Sequence, residues 1–138
     1  MAQLSPAVRA FLEEPRFCVF ADINDDGTPH QTVLWYEVQG DTILMNTAKG
    51  RVKDRNLTRD PRASFCVEDG YRYVTIVGAC TLQSEDQQAA QADIKRLAVR
   101  YHGPERGEEM AASSFAKQTR ETIRLRIDSA KVDVNGFA

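Results

Sequence analysis

The chain is short of the residues on which most enzymatic chemistry runs. It has two histidines, His30 and His102, and no HExxH, too little for a histidine-based metal site. Its three cysteines, Cys18, Cys66 and Cys80, are scattered through apolar stretches without a CxxC. Such a set reads as reduced, buried thiols of a cytoplasmic protein and not as a disulfide framework. A GxSxG nucleophile turn is missing, and so are the GxGxxG and GxxxxGK[ST] nucleotide loops. No apolar run approaches the roughly 18 residues that cross a bilayer. The opening Met1–Pro6 has neither a basic nor a long apolar region, so no signal peptide and no membrane association are expected. A net charge of −2 excludes a general nucleic-acid surface, so any basic site must be local.

What is present suits one domain over residues 1–138, with 42% hydrophobic and 28% charged residues and length enough for one core. Ser5-Pro6 starts a helix with Val8, Phe11 and Leu12 on one face, and Pro15 ends it. Arg16–Ile23 reads as a strand, Asn24-Asp25-Asp26-Gly27 as a tight turn, and Pro29–Gln39 as a second strand. The Asp22-x-Asn24-x-Asp26-Gly27 run opens like a calcium loop, but its twelfth position is Val33 and strands flank it, so it reads as a hairpin turn. Gly40-Asp41 turns the chain into a third strand, Thr42–Asn46, and the three strands read as an antiparallel meander.

A helix over Gly50–Arg59 is stopped by Asp60-Pro61. Strands over Ala63–Glu68 and Tyr71–Gln83 follow, the second with a bulge or bend expected at Gly78. Ser84-Glu85-Asp86 caps a helix whose apolar face is Ile94, Leu97, Ala98 and Tyr101. His102–Gly107 reads as a loop, Glu108–Ala116 as a short helix, and Glu121–Asp128 as a half-exposed strand, with Ala130–Val134 a further short one. Runs of antiparallel strands with helices at the edges place the fold in the α+β class, as a small barrel with flanking helices.

The stretch with most chemical content is Asn46-Thr47-Ala48-Lys49-Gly50-Arg51-Val52-Lys53. Three cations crowd the start of a helix, where unpaired N–H groups already carry about half a positive charge. A phosphate seated there accounts for them; a solvated basic helix balanced by Asp54 and Asp60 is the plainer alternative. No pair of acids stands out as general acid and base. That pattern fits a protein whose cofactor carries the chemistry while the chain binds and orients it. Trp35, Tyr36, Tyr71 and Tyr73 offer aromatic surface near the turns, for core packing or for such a ligand.

Residues 46–57, followed by Asp60-Pro61-Arg62-Ala63-Ser64, resemble the central motif of the pyridoxamine 5′-phosphate oxidase-like flavoprotein superfamily. The Arg16–Ile23 strand, the Asp26-Gly27-Thr28-Pro29 turn and Asp69-Gly70-Tyr71-Arg72-Tyr73 fit the same pattern, so the similarity runs from about residue 5 to residue 128. The resemblance implies a split β-barrel of six or seven mainly antiparallel strands and a homodimer with cofactor sites at its interface. It also implies FMN or the deazaflavin coenzyme F420 as cofactor. The Arg-x-Lys-x-Arg-Asn-Leu pattern is most similar to the F420-dependent reductases, in which a hydride passes to a small electron-poor planar substrate. On that likeness Arg51 and Lys53 hold the phosphate, with backbone contacts from Asn46, Thr47 and Ala48. Gln31, Thr32 and Val33 lie along the ring, and Tyr71 and Tyr73 approach from the second chain. Val52 stands where the vitamin B6 oxidases have an Arg, and their C-terminal substrate-binding region has no counterpart, so vitamin B6 oxidation is not expected.

Overall fold

A computed structural model of the chain describes residues 3–137. Eight strands form one curled antiparallel sheet in the order β2-β1-β5-β6-β7-β4-β3, with β8 paired to β6. The strands are β1 Cys18–Ile23, β2 Pro29–Leu34, β3 Glu37–Gln39, β4 Thr42–Ala48, β5 Arg62–Glu68, β6 Tyr73–Gln83, β7 Arg120–Arg126 and β8 Lys131–Asn135. Helices α1 Pro6–Glu13, α2 Val52–Arg59, α3 Gln87–His102 and α4 Pro104–Ser113 flank it, with a short 3-10 turn at Phe115–Lys117.

The ends of the strand order are β2 and β3, yet only Trp35 and Tyr36 separate them in the chain. The sheet must therefore curl until its two ends approach, which is the geometry of a split barrel. Period-two burial fills its interior: Ala63, Phe65 and Val67 of β5 and Val74 and Ile76 of β6 point inward beside Phe20, Met45, Ile123 and Leu125. Ser5 Oγ accepts the Val8 N–H at 3.2 Å and Pro6 opens α1, whose Val8, Phe11 and Leu12 join this core.

The structure departs from the sequence reading in several places, the first being its eight strands where six or seven were expected. The expected single strand Pro29–Gln39 breaks at Trp35-Tyr36, so β2 pairs only with β1 and β3 only with β4, and the meander spans the barrel's split. Tyr36 turns inward instead, fully buried, with its hydroxyl donating to the Leu12 carbonyl at 2.9 Å. The expected loop His102–Gly107 is largely helix, because Gly103 (φ +88°) ends α3 and Pro104 starts α4 at once. Of the bulge or bend expected at Gly78 the bulge is absent, since the β5–β6 register runs through it unbroken; instead the other edge of β6 changes partner there, pairing with β8 up to Val77 and with β7 from Cys80. A Cβ at Gly78 would lie 3.2 Å from Ala130 Cβ and Leu125 Cδ1, where that exchange crosses.

Candidate functional site

The site begins where β4 outruns its partner. β3 covers only Thr42–Leu44, whereas β7 pairs with β4 as far as Ala48. Asn46, Thr47 and Ala48 are buried, yet one backbone edge of this segment has no strand beside it. The chain then turns through Gly50 (φ +90°), a backbone shape that favours glycine, and enters α2 with Arg51 at the cap position. No side chain of the cap residue satisfies the first turn of α2. Its free N–H groups and positive end therefore lie next to Arg51 in the chain.

The three cations of this segment have different fates. Lys49 is neutralised, its Nζ 3.3 Å from Glu121 Oε2 and 3.6 Å from Asp54 Oδ1. Arg51 is exposed and makes no ion pair among the described residues. Lys53 is buried on the inner side of α2, also without an ion pair. Burial pushes its ammonium pKa down; Asp22 opposes this, while Arg51 and Arg120 add to it.

Arg120, on β7, takes the place that Lys49 leaves. It is only 3% exposed and has no carboxylate partner among the described residues. Its Nε donates to Asn46 Oδ1 at 2.9 Å, its Nη1 to Gln118 Oε1 at 2.7 Å, and its guanidinium lies 5.0 Å from the Phe115 ring centre. Burial, and then the Arg51 charge, lower its pKa to about 10. A buried cation without a counter-ion is unfavourable unless a ligand supplies one. Arg51, Lys53 and Arg120 thus form a cluster that an anion would relieve.

Arg51, Arg120 and Asn46 line one side of a cleft of about 300 Å³. Val33, Leu34 and Trp35 line it from β2 and its break, Ile94 and Leu97 from α3, Met110 from α4, with Phe17 and Phe115 at its sides. Trp35 stacks on Tyr101 (5.6 Å, 15° between planes), which stacks on Phe17 (5.6 Å, 25°). Phe115 meets Trp35 edge-on at 6.2 Å. The cleft therefore joins a cationic end to an apolar, aromatic wall, a shape suited to a planar ring carrying an anionic group.

The remaining sequence candidates lie near but apart. Val33 is in the cleft wall and 65% exposed; Gln31 points the same way from β2, and Thr32 points to the other face. Tyr71 and Tyr73 are exposed at the β5–β6 turn and do not line this chain's cleft. His30 is structural: its Nδ1 lies 3.0 Å from Asp22 Oδ1, which also accepts from Asn56 Nδ2 at 2.7 Å, tying α2 to β1 and β2. Cys18 and Cys80 are buried thiols, pushed by that burial to about 12, while Cys66 is only partly covered. Sequence reasoning missed Arg120 and Phe115, because only the fold brings β7 and the 3-10 turn beside Asn46. Among the described residues no helix is long and apolar enough to cross a membrane.

A curled antiparallel sheet split between β2 and β3, with helices at its edges, defines an α+β split barrel. The chain belongs to the pyridoxamine 5′-phosphate oxidase family, whose profile matches residues 4–132. It is similar to a conserved hypothetical protein, Rv2991, from Mycobacterium tuberculosis, at 29% identity over 97% of this chain and 86% of that one, with TM-score 0.78. An F420 reductase shares the fold at 22% identity over 94% and 98% of the two chains, TM-score 0.74. So does HutZ, a heme storage protein from Vibrio cholerae, at 16% identity over 99% and 97%, TM-score 0.73.

Proposed function

We propose that this chain is an oxidoreductase that uses reduced coenzyme F420, with the cofactor phosphate seated among Arg51, Lys53, Arg120 and the first N–H groups of α2. The observation that carries the reading is that Arg51 and Arg120 line an apolar cleft with the buried Lys53 close behind them, none of the three ion-paired among the described residues. The residues present fit such a group: Arg120 is buried without a counter-ion, and the open backbone edge of β4 offers amide contacts. The bound cofactor would supply a hydride to an electron-poor double bond of a small planar substrate.

The chain's own contribution is binding, orientation and exclusion of water. Asn46 fixes the Arg120 guanidinium by accepting from its Nε, while its amide nitrogen donates to the Ala90 carbonyl at 3.1 Å. Trp35, Phe115 and Met110 cover the apolar end and restrict water. Among the described residues the cleft wall contains no carboxyl, imidazole or thiol. The proton that completes the reduction therefore comes from solvent or from a tyrosine of a second copy.

The active form on this reading is a homodimer. The outer face of β2, β1, β5 and β6 presents Val33, Val19, Ala21, Ser64, Cys66, Tyr73, Thr75 and Val77 in lateral register, an uncharged strip with Glu68 beside Tyr73 and with Asp133 and Lys131 beside Thr75 and Val77 at its rim. A patch of that character marks an association surface, and a second copy seated there would bring Tyr71 and Tyr73 toward the neighbouring cleft. FMN is the second reading, since it too carries a phosphate on a ribityl chain and a ring of similar shape. The similarity of the Arg51–Leu57 motif to F420-dependent reductases, and the fold shared with one of them, favour F420. The test is anaerobic oxidation of reduced F420 by the purified protein with a quinone or enone acceptor. Turnover is expected. F420 binding without turnover of any acceptor would make the protein a cofactor carrier, and binding of FMN alone would select the second reading.

A further inference from the structure

Beneath the turn that presents Arg51, two acids sit side by side away from water. Asp54 lies in the first turn of α2, and Glu121 faces Thr47 across the β4–β7 pair. Their side chains are 6% and 2% exposed. Asp54 Oδ2 accepts the Gly50 N–H at 2.7 Å, so this carboxylate pins the turn itself. Lys49 reaches both acids, and it is the one cation facing them from the turn. Thr47, the β4 residue opposite Glu121, brings no charge. Arg120, next to Glu121 in β7, points to the other side of that strand, toward Asn46.

One oxygen of each acid, Asp54 Oδ1 and Glu121 Oε1, is buried without a hydrogen-bond partner. Two adjacent carboxylates with two unsatisfied oxygens and a single half-exposed lysine are over-charged for such a place. One proton resolves both defects: carried on Glu121, it donates to Asp54, and the net charge of the trio falls to zero.

We propose that Asp54 and Glu121 share one proton, and that this proton positions the 47–51 turn so that Arg51 and the start of α2 face the anion in the cleft. The role rests on reading that cleft as a phosphate site. Glu121 is a positioning residue on this view, since it touches no ligand and acts through Asp54 and Gly50. Its surroundings agree: burial, then the Asp54 carboxylate, raise Glu121 from 4.5 to about 7 against the opposing pull of Lys49. Burial also pushes Asp54 up, but hydrogen bonds from Glu121 and Gly50 and the Lys49 charge leave it below its ordinary value.

The linkage has a definite sign. A carboxyl raised in the folded chain contributes stability that is fully present below about 4.5 and is lost as pH rises through about 7. Loss of the proton also sets a second anion beneath the phosphate, so affinity for a phosphate ligand falls above about pH 7. A one-proton linkage limits that fall to about tenfold per pH unit.

The experiment titrates the full chain with FMN and with F420 by fluorescence from about pH 6 to about pH 9, where the proton of Glu121 is lost. Glu121→Gln, a neutral isostere, and Asp54→Asn are compared with the parent. Affinity is expected to fall with pH in the parent and to stay flat in Glu121→Gln. The ligand-free melting midpoint should decline from about pH 4.5 to about pH 7 in the parent only. Infrared spectra of the parent should show a protonated-carboxyl band below about pH 7 that disappears above it. Matching pH profiles in parent and Glu121→Gln, or no such band, overturn the shared proton. If neither ligand binds at any pH, the phosphate reading and the positioning role fall together, while the melting profile and the band still decide the proton. If the variants do not fold, the parent's band alone decides it.

Discussion

On the proposed reading Arg51 and Arg120 hold the same phosphate from opposite structural positions, one exposed and one buried, and this sets different outcomes for their removal. Arg51 is exposed and unpaired, so Arg51→Ala should change stability by no more than about 0.5 kcal/mol. It removes a charge-assisted contact worth about 1.5–3 kcal/mol, so F420 affinity should fall by about ten- to a hundredfold. Thermal melting and fluorescence titration of one preparation check both numbers. Arg120→Met should weaken binding comparably, at a position that no motif in the chain marks. Arg51 and Lys53 stand out in the sequence because the signal is local, cations at a helix start after a strand, and neither has an ion-pair partner among the described residues. Arg120 does not stand out, because it falls just before the strand read over Glu121–Asp128, in a stretch without a pattern of its own. In the fold the face expected to meet water, at Thr122 and beside it, is covered by α3: Thr122 Oγ1 donates to Asp93 at 2.6 Å. Lys49 shows the reverse error, a cation legible in the sequence and spent on Glu121 and Asp54.

Among the elements, the α3–α4 pair matters most to the cleft, because α3 supplies Ile94 and Leu97 and α4 supplies Met110. The two helices meet where Gly107 has no side chain: a Cβ there would lie 2.6 Å from Val99 N and 2.7 Å from Val99 Cα. Gly107→Ala must therefore push α4 outward, at about 1–3 kcal/mol of stability. Weaker cofactor binding should accompany the lower melting midpoint, and an unchanged midpoint would show that the helices part freely. The turns of the fold were readable from residue type, as at Asp26, whose carboxylate accepts the Thr28 N–H at 3.0 Å. The break at Trp35-Tyr36 was not, since Thr32–Val38 has the composition of one continuous strand. Long-range packing decides it: Trp35 stacks on Tyr101, and the Tyr36 N–H donates to the Tyr101 hydroxyl at 3.1 Å. That break also opens the barrel, so the least legible point of the fold is the one that makes the site.

For the whole molecule, the outer sheet face and the cleft belong to one design. Val19 and Val33 are paired across β1 and β2 and are 41% and 65% exposed, and Val33 also lines the cleft. Val19→Asp places a charge at the middle of the proposed dimer face without entering the core. Sedimentation should show a dimer for the parent and a monomer for the variant, with cofactor affinity lost together with the dimer. A monomeric parent that binds cofactor fully would remove the second copy from the site. The most direct test of the phosphate-bearing cleft is fluorescence titration of the parent chain with F420 and with FMN, repeated with Arg51→Ala. Saturable binding is expected, tighter for F420 than for FMN and at least about tenfold weaker in the variant. Binding of neither cofactor, or equal affinity in parent and variant, would contradict it.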